Sequence, residues 1–226
     1  VVNMNLAAVD AGINSPVRVE IPEAWKNAEE PTQDLSDLPE MIREIVIPIN
    51  AQRGDALPVS TFVGHEGGTF TMGTSVYEKR GIATQLPVWD PQKCIQCNRC
   101  AYVCPHAAIR PFLLNEAECA NAPEGFQTAP ANGAKEYRFT LQVSTMDCTG
   151  CGSCAATCPA KDKALTLVPA ADLLEKTDSW QYALTVSDKG EVFKSDTVKG
   201  SQFRLPLLEF SGACAGCGQT PYAKLI

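Results

Sequence analysis

The chain has 226 residues, 45% of them hydrophobic, and a formal net charge of −7, a size and balance that allow one or two globular domains with a modest core. The acidic charge argues against a nucleic-acid surface, which needs a basic stripe to neutralise phosphates, and no apolar run approaches the ~18 residues of a membrane span. Its 11 cysteines fall short of the density of a disulfide scaffold; with no signal peptide in view, a soluble protein of a reducing, cytoplasmic compartment is expected.

Leu6, Ala7, Val9 and Ile13 predict the end of a helix closed at Gly12 or Asn14. Residues 15–22 alternate apolar and polar side chains between Pro16 and Pro22, the pattern of an edge strand. Acidic and proline-bearing residues from Glu29 to Glu40 read as a linker, and the apolar run 45–49, broken by Pro48, reads as packing. From Arg53 to Arg80 the chain turns to glycine and threonine. Gly64, Gly67, Gly68 and Gly73 lack the Lys-Ser/Thr of a phosphate-binding loop, His65 reads as a surface residue, and Glu78-Lys79-Arg80 reads as a solvated turn.

Chemistry begins at Cys94-Ile-Gln-Cys97-Asn-Arg-Cys100-Ala-Tyr-Val-Cys104-Pro105, with its echo at Cys148-Thr-Gly-Cys151-Gly-Ser-Cys154-Ala-Ala-Thr-Cys158-Pro159. Both follow C-x2-C-x2-C-x3-C-P, the spacing of bacterial two-cluster ferredoxins, in which the fourth cysteine of each run ligates the other cluster. On that rule Cys94, Cys97, Cys100 and Cys158 hold cluster one, and Cys148, Cys151, Cys154 and Cys104 hold cluster two. Structural zinc prefers two C-x2-C pairs with a longer gap. Three cysteines per loop therefore favour [4Fe–4S] cubes over zinc or disulfides.

Trp89, just ahead of the first loop, is expected to cap the apolar side of this domain, and His106, just after it, to be surface or to support the site without ligating. Residues 115–135 read as an inserted surface loop carrying a free structural thiol, Cys119. Tyr137, Phe139, Leu141 and Val143 alternate on one face and predict a strand over 136–143, with 164–168 as its partner. Strand, cysteine loop and short helix, repeated, give an α+β, ferredoxin-like two-[4Fe–4S] domain. Further strands are expected at 182–186 and 191–193. A last C-x2-C, Cys214 and Cys217, is by itself ambiguous among half a zinc site, half a cluster site and a redox dithiol. The chain opens on Val1 and stops at Ile226 shortly after that pair, so it is expected to be a segment of something longer.

In their order, Gly54-Asp55-Ala56-Leu57-Pro58-Val59-Ser60, the Gly68-Thr69-Phe70 loop leading to Glu78-Lys79-Arg80, Val88-Trp89-Asp90-Pro91 and Ser211-Gly212-Ala213-Cys214-Ala215-Gly216-Cys217-Gly218 resemble pyruvate:ferredoxin (flavodoxin) oxidoreductase. The resemblance implies an internal fragment: 1–33 the end of a coenzyme A-associated domain, 34–82 a small connecting domain named for Glu-Lys-Arg, 83–185 the two-cluster domain, and 186–226 the start of a thiamine-diphosphate domain. Cys214 and Cys217 would then be half of a third [4Fe–4S] site and, in this chain alone, disordered or free.

The implied role is to conduct single electrons from thiamine-diphosphate-dependent pyruvate decarboxylation to ferredoxin or flavodoxin. Thiamine diphosphate, Mg2+, coenzyme A and pyruvate would all bind outside these residues, in a homodimeric parent enzyme. The segment alone should not turn over pyruvate, and none of its residues is expected to be catalytic. Two alternatives stand beside this reading: an eight-iron ferredoxin-like subunit of another oxidoreductase, and a non-redox zinc-binding module.

Overall fold

The computed structural model describes residues 1–28, 34–174 and 176–226; the start of the expected linker and the expected boundary at 33 lie outside the described residues. The chain divides into two compact units, Val1–Thr61 and Phe62–Ile226.

In the first unit, helix α1 (Val2–Asn14) ends where the sequence predicts, and none of its residues is buried. Residues 15–22 form no strand. A strand needs a neighbour to satisfy its backbone groups, and Pro16 and Pro22 remove two donors from any ladder. Helix α2 (Glu23–Lys26) follows. The apolar run around Ile45 is helical: a π turn, Ile42–Val46, feeds α3 (Ile47–Asn50), and the Ile47 N–H reaches back to the Ile42 carbonyl. Pro48, with no N–H to offer, falls in the first turn of α3, where none is required. Met41, Ile42 and Ile45 are buried, so this stretch packs, as expected.

The second unit carries the repeat. Its first half runs β1 (Gln85–Trp89), α4 (Arg99–Tyr102) and β2 (Ile109–Leu114). Helix α5 (Glu116–Ala120) and the short β3 (Ala129–Pro130) bridge to the second half, β4 (Arg138–Val143), α6 (Ser153–Thr157) and β5 (Leu165–Pro169). The stretch expected to be a plain surface loop thus contains a helix and a strand.

Each half lends a strand to the other. β1 pairs antiparallel with β5, Trp89 opposite Leu165, while β2 pairs antiparallel with β4, Ile109 opposite Val143. The strand predicted at 136–143 is present, but its partners are β2 and β3, and the expected partner at 164–168 pairs with β1. Adjacency in sequence misled here, because the first strand of each half pairs with the last strand of the other. Phe139 and Leu141 from β4, Trp89, Ile109, Leu113 and Leu165 build one core between the sheets. Trp89 sits inside it, edge-on to Phe139 with centroids 5.7 Å apart.

The remaining residues wrap this core as helices and turns: α7 (Asp178–Thr185), α8 (Val198–Ser201) and α9 (Thr220–Leu225). The strands expected at 182–186 and 191–193 are absent. Residues 182–185 lie in α7, whose buried Trp180 and Ala183 are spaced i, i+3, one face of a helix. Residues 191–193 are a turn that delivers Phe193 to stack on Phe203, centroids 5.2 Å apart, and Phe203 in turn meets Phe139.

Candidate metal centres

The two cysteine loops follow the same backbone path for different local reasons. In the first, Gln96 and Asn98 hold φ of 57° and 58°; in the second, the corresponding Gly150 and Gly152 hold 69° and 76°. Glycine adopts this left-handed region freely, whereas a residue with a Cβ needs support. The first loop has that support. The Gln96 side chain donates to the Pro130 carbonyl at 2.8 Å and accepts from the Asn132 N–H at 2.7 Å, and the Asn98 side chain donates to the Lys199 carbonyl at 2.9 Å.

The turns aim backbone donors at sulfur. Gln96 N–H points to Cys94 Sγ and Gly150 N–H to Cys148 Sγ, each at 3.4 Å, and Ala164 N–H points to Cys158 Sγ at the same distance. Asn98 and Gly152 then stand at the N-caps of α4 and α6, so the third cysteine of each run lies in a helical turn.

Cys94, Cys97, Cys100 and Cys158 line one cavity, walled by Trp89, Phe139, Leu141 and Leu165. Cys158 comes from the second run, so the structure brings together the four residues of the first predicted set. Burial pushes the Cys94 and Cys100 thiols up, and their cysteine neighbours add to the effect. Cys104, Cys148, Cys151 and Cys154 are also neighbours of one another. Burial pushes Cys154 up to about 12, reinforced by Cys104, Cys148 and Cys151, and Cys148 up to about 11, reinforced by Cys104 and Cys151.

These sets are clustered without converging on a point. Among the described residues no three His, Cys, Asp or Glu side chains meet closely enough to hold a single ion. Among the described residues none of the eleven cysteines is paired in a disulfide. Soft sulfur donors spread around a water-poor cavity, with N–H groups aimed at the sulfurs, suit a cube bound at its corners. A bound metal's positive charge would offset the cost of burying thiolates here, the protons leaving to solvent.

The segment with the last two cysteines lies against this module. Phe210 N–H donates to the His106 carbonyl at 2.8 Å, and His106 Nδ1–H to the Ser211 carbonyl at 2.9 Å. His106 is 2% exposed: it is a buried anchor, which excludes the surface alternative. Lys224 Nζ donates to the carbonyls of Ala101, Tyr102 and Cys104 at 2.6, 3.2 and 3.2 Å, capping the end of α4. A Cβ on Gly216 would stand 3.4 Å from Cys151 Cβ, so the turn from Cys214 to Cys217 abuts the second set. Cys214 is exposed and Cys217 half-buried. The Thr220 hydroxyl, then the N–H groups of Thr220 and Gln219, hold the Cys217 thiol below its ordinary range.

Elsewhere, Cys119 lies half-buried in α5 and joins neither set. His65 is a turn residue whose Nδ1–H reaches the Thr69 carbonyl at 2.8 Å. Gln96, Asn98 and Lys224 were not singled out from the sequence; aligning the two cysteine runs on each other, which sets Gln96 and Asn98 opposite glycines, is the signal that finds the first two.

Residues 93–161 match a family described as a 4Fe-4S dicluster domain, and residues 27–83 match the EKR family, described as a domain of unknown function. Along its whole length the chain is similar to pyruvate-flavodoxin oxidoreductase of Enterobacter agglomerans, 53% identical, and to that of Klebsiella pneumoniae, 52% identical. It is also 50% identical over its whole length to pyruvate:ferredoxin oxidoreductase of Moorella thermoacetica. It spans 19%, 19% and 20% of these relatives respectively, about a fifth of their length.

Proposed function

We propose that this chain is the iron–sulfur segment of a pyruvate:ferredoxin or pyruvate:flavodoxin oxidoreductase, the enzymes to which its whole length is similar, and that it conducts single electrons to ferredoxin or flavodoxin. The observation that carries the reading is the exchange of the fourth cysteines: Cys158 shares a cavity with Cys94, Cys97 and Cys100, and Cys104 neighbours Cys148 and Cys154. Cys94, Cys97, Cys100 and Cys158 would hold one [4Fe–4S] cluster and Cys104, Cys148, Cys151 and Cys154 the other, in a ferredoxin-like α+β module. Bound there, the clusters would supply one-electron storage.

The chain's own residues prepare those sites. Trp89, Phe139, Leu141 and Leu165 exclude water on one side, and the N–H groups of Gln96, Gly150 and Ala164 point at cysteine sulfurs, where hydrogen bonds favour the reduced cluster. The position of Gly216 against Cys151 supports Cys214 and Cys217 as two ligands of a third [4Fe–4S] cluster beside the second set. In the parent enzyme, thiamine diphosphate and Mg2+ would carry the decarboxylation of pyruvate to acetyl-coenzyme A and carbon dioxide, outside these residues. We assign 1–33, 34–82, 83–185 and 186–226 to its coenzyme A-associated, connecting, cluster-bearing and thiamine-diphosphate domains, in a cytoplasmic homodimer. Among the described residues no helix is long and apolar enough to cross a membrane.

The test is to load the chain anaerobically with iron and sulfide, reduce it, and mix it with oxidised ferredoxin or flavodoxin. Bleaching of either acceptor by about one electron per cluster is expected. A reduced chain that transfers to neither acceptor would sink the reading.

A further inference from the structure

The Glu78-Lys79-Arg80 stretch reads from sequence as a solvated turn, and the region around it matches a family of unknown function. Lys79 is exposed, with 34% of its side chain open to solvent, but its ammonium is engaged. Lys79 Nζ lies 2.6 Å from Asp147 Oδ2, and the Asp147 side chain is 1% exposed. The same ammonium stands 4.4 Å from the centroid of the Phe210 ring, a cation–π contact. Asp147 directly precedes Cys148, and it accepts from the Ser144 hydroxyl.

Three pieces of chain meet at this ammonium, and backbone contacts fix each one. Gly81 N–H donates to the Met146 carbonyl at 2.9 Å, which registers the lysine segment on the second cysteine loop. Ser75 Oγ donates to the Glu209 carbonyl at 2.9 Å, which ties that segment to the strap of residues 209–211. Phe210 is itself held by its N–H, which donates to the His106 carbonyl beside the first cysteine run. A carboxylate this deeply buried is strongly penalised without a cation, and Lys79 supplies one at the root of the second cysteine loop.

We propose that Lys79 is a positioning and charge-compensating residue: by neutralising Asp147 it sets the reduction potential of the cluster held by Cys104, Cys148, Cys151 and Cys154, and it seats the strap that carries Cys214 and Cys217. The potential half of this rests on the cluster reading above; the seating half does not. Reduction adds negative charge, so an uncompensated carboxylate beside the loop opposes it.

The experiment compares the iron-loaded chain with K79M, K79R, D147N and the K79M/D147N pair. Each is followed by potentiometric titration of its reduced paramagnetic signals and by hydrogen exchange across residues 206–218. K79M is expected to move one of the two cluster potentials to more negative values, leave the other in place, and speed exchange around Phe210. K79R restores both properties, and D147N in the K79M background brings the potential back toward its original value. Unchanged potentials and unchanged exchange in K79M would overturn the proposal, as would a double variant whose potential stays as negative as that of K79M alone. Should K79M retain no iron, exchange in the metal-free chains decides the seating half, with equal protection in K79M and wild type counting against it. A wild-type chain that takes up no iron and sulfide would instead remove the cluster reading while leaving that exchange comparison intact.

Discussion

Glu118 ties two separate stretches of chain, the start of α5 and residues 187–189, through one carboxylate. It completes a capping box with Asn115 at the start of α5, accepts from the Ser187 N–H at 3.0 Å and hydroxyl at 2.7 Å, and pairs with Lys189 at 2.8 Å, where the two side chains are 17% and 9% exposed. Burial pushes this carboxyl upward, but Lys189, Asn115 and Ser187 together hold it at about 2, below the ordinary 4.5. A carboxyl held down in the folded state stabilises fully above its unfolded value and loses that contribution as the pH falls through the folded one. Removing it also leaves a nearly buried lysine without its carboxylate partner. Glu118→Ala should therefore cost about 3 kcal/mol at pH 6, read from the urea midpoint. The gap to wild type should narrow as the pH drops from 4.5 toward 2; a gap independent of pH would contradict this. At this scale the sequence was uneven. The eight loop cysteines were legible because their chemistry fixes their spacing. Glu118, Lys79 and Lys224 were not, because their partners lie far along the chain and a charged residue in a polar stretch resembles ordinary surface.

Among the elements, α8 is short yet tightly constrained. A Cβ on Gly200 would stand 1.9 Å from the Lys194 carbonyl oxygen, a backbone clash that no rotamer change relieves. The Thr197 side chain caps the helix by accepting from Gly200 N–H at 3.0 Å. The neighbouring Lys199 carbonyl receives Asn98, which holds the first cysteine loop in its left-handed turn. Gly200→Ala is expected to lower stability by about 3 kcal/mol, measured by urea unfolding; a loss below about 0.5 kcal/mol, ordinary for a surface site, would contradict the geometry. The elements were legible where pattern and length agreed. The period-two alternation gave β4, and the apolar spacing together with Gly12 and Asn14 gave the end of α1. Strand partners were not legible, since β1 and β5 pair across two cysteine loops. Helix α7 was read partly as a strand because its buried residues fall within a stretch too short for the helical period to stand out.

At the scale of the second unit, strands and cysteines are exchanged by the same rule. β1 takes β5 and β2 takes β4, while Cys158 joins the first cysteine set and Cys104 the second. One core, in which Trp89 meets Phe139 and against which Phe203 packs from the side, lies behind the loops. Neither half encloses a site alone, which is why a repeat that is plain in the cysteines folds as one body. The mixed helix and strand content and the duplicated cysteine loops could be read in advance. The wrapping of residues 178–226 around that body could not, since it depends on scattered aromatics such as Trp180, Phe193, Phe203 and Phe210. The most direct test of the central claim is a count of iron, acid-labile sulfide and zinc per chain, on protein prepared without oxygen. About eight irons and eight sulfides with negligible zinc are expected. Zinc without sulfide would contradict the electron-transfer reading and leave a structural zinc module in its place.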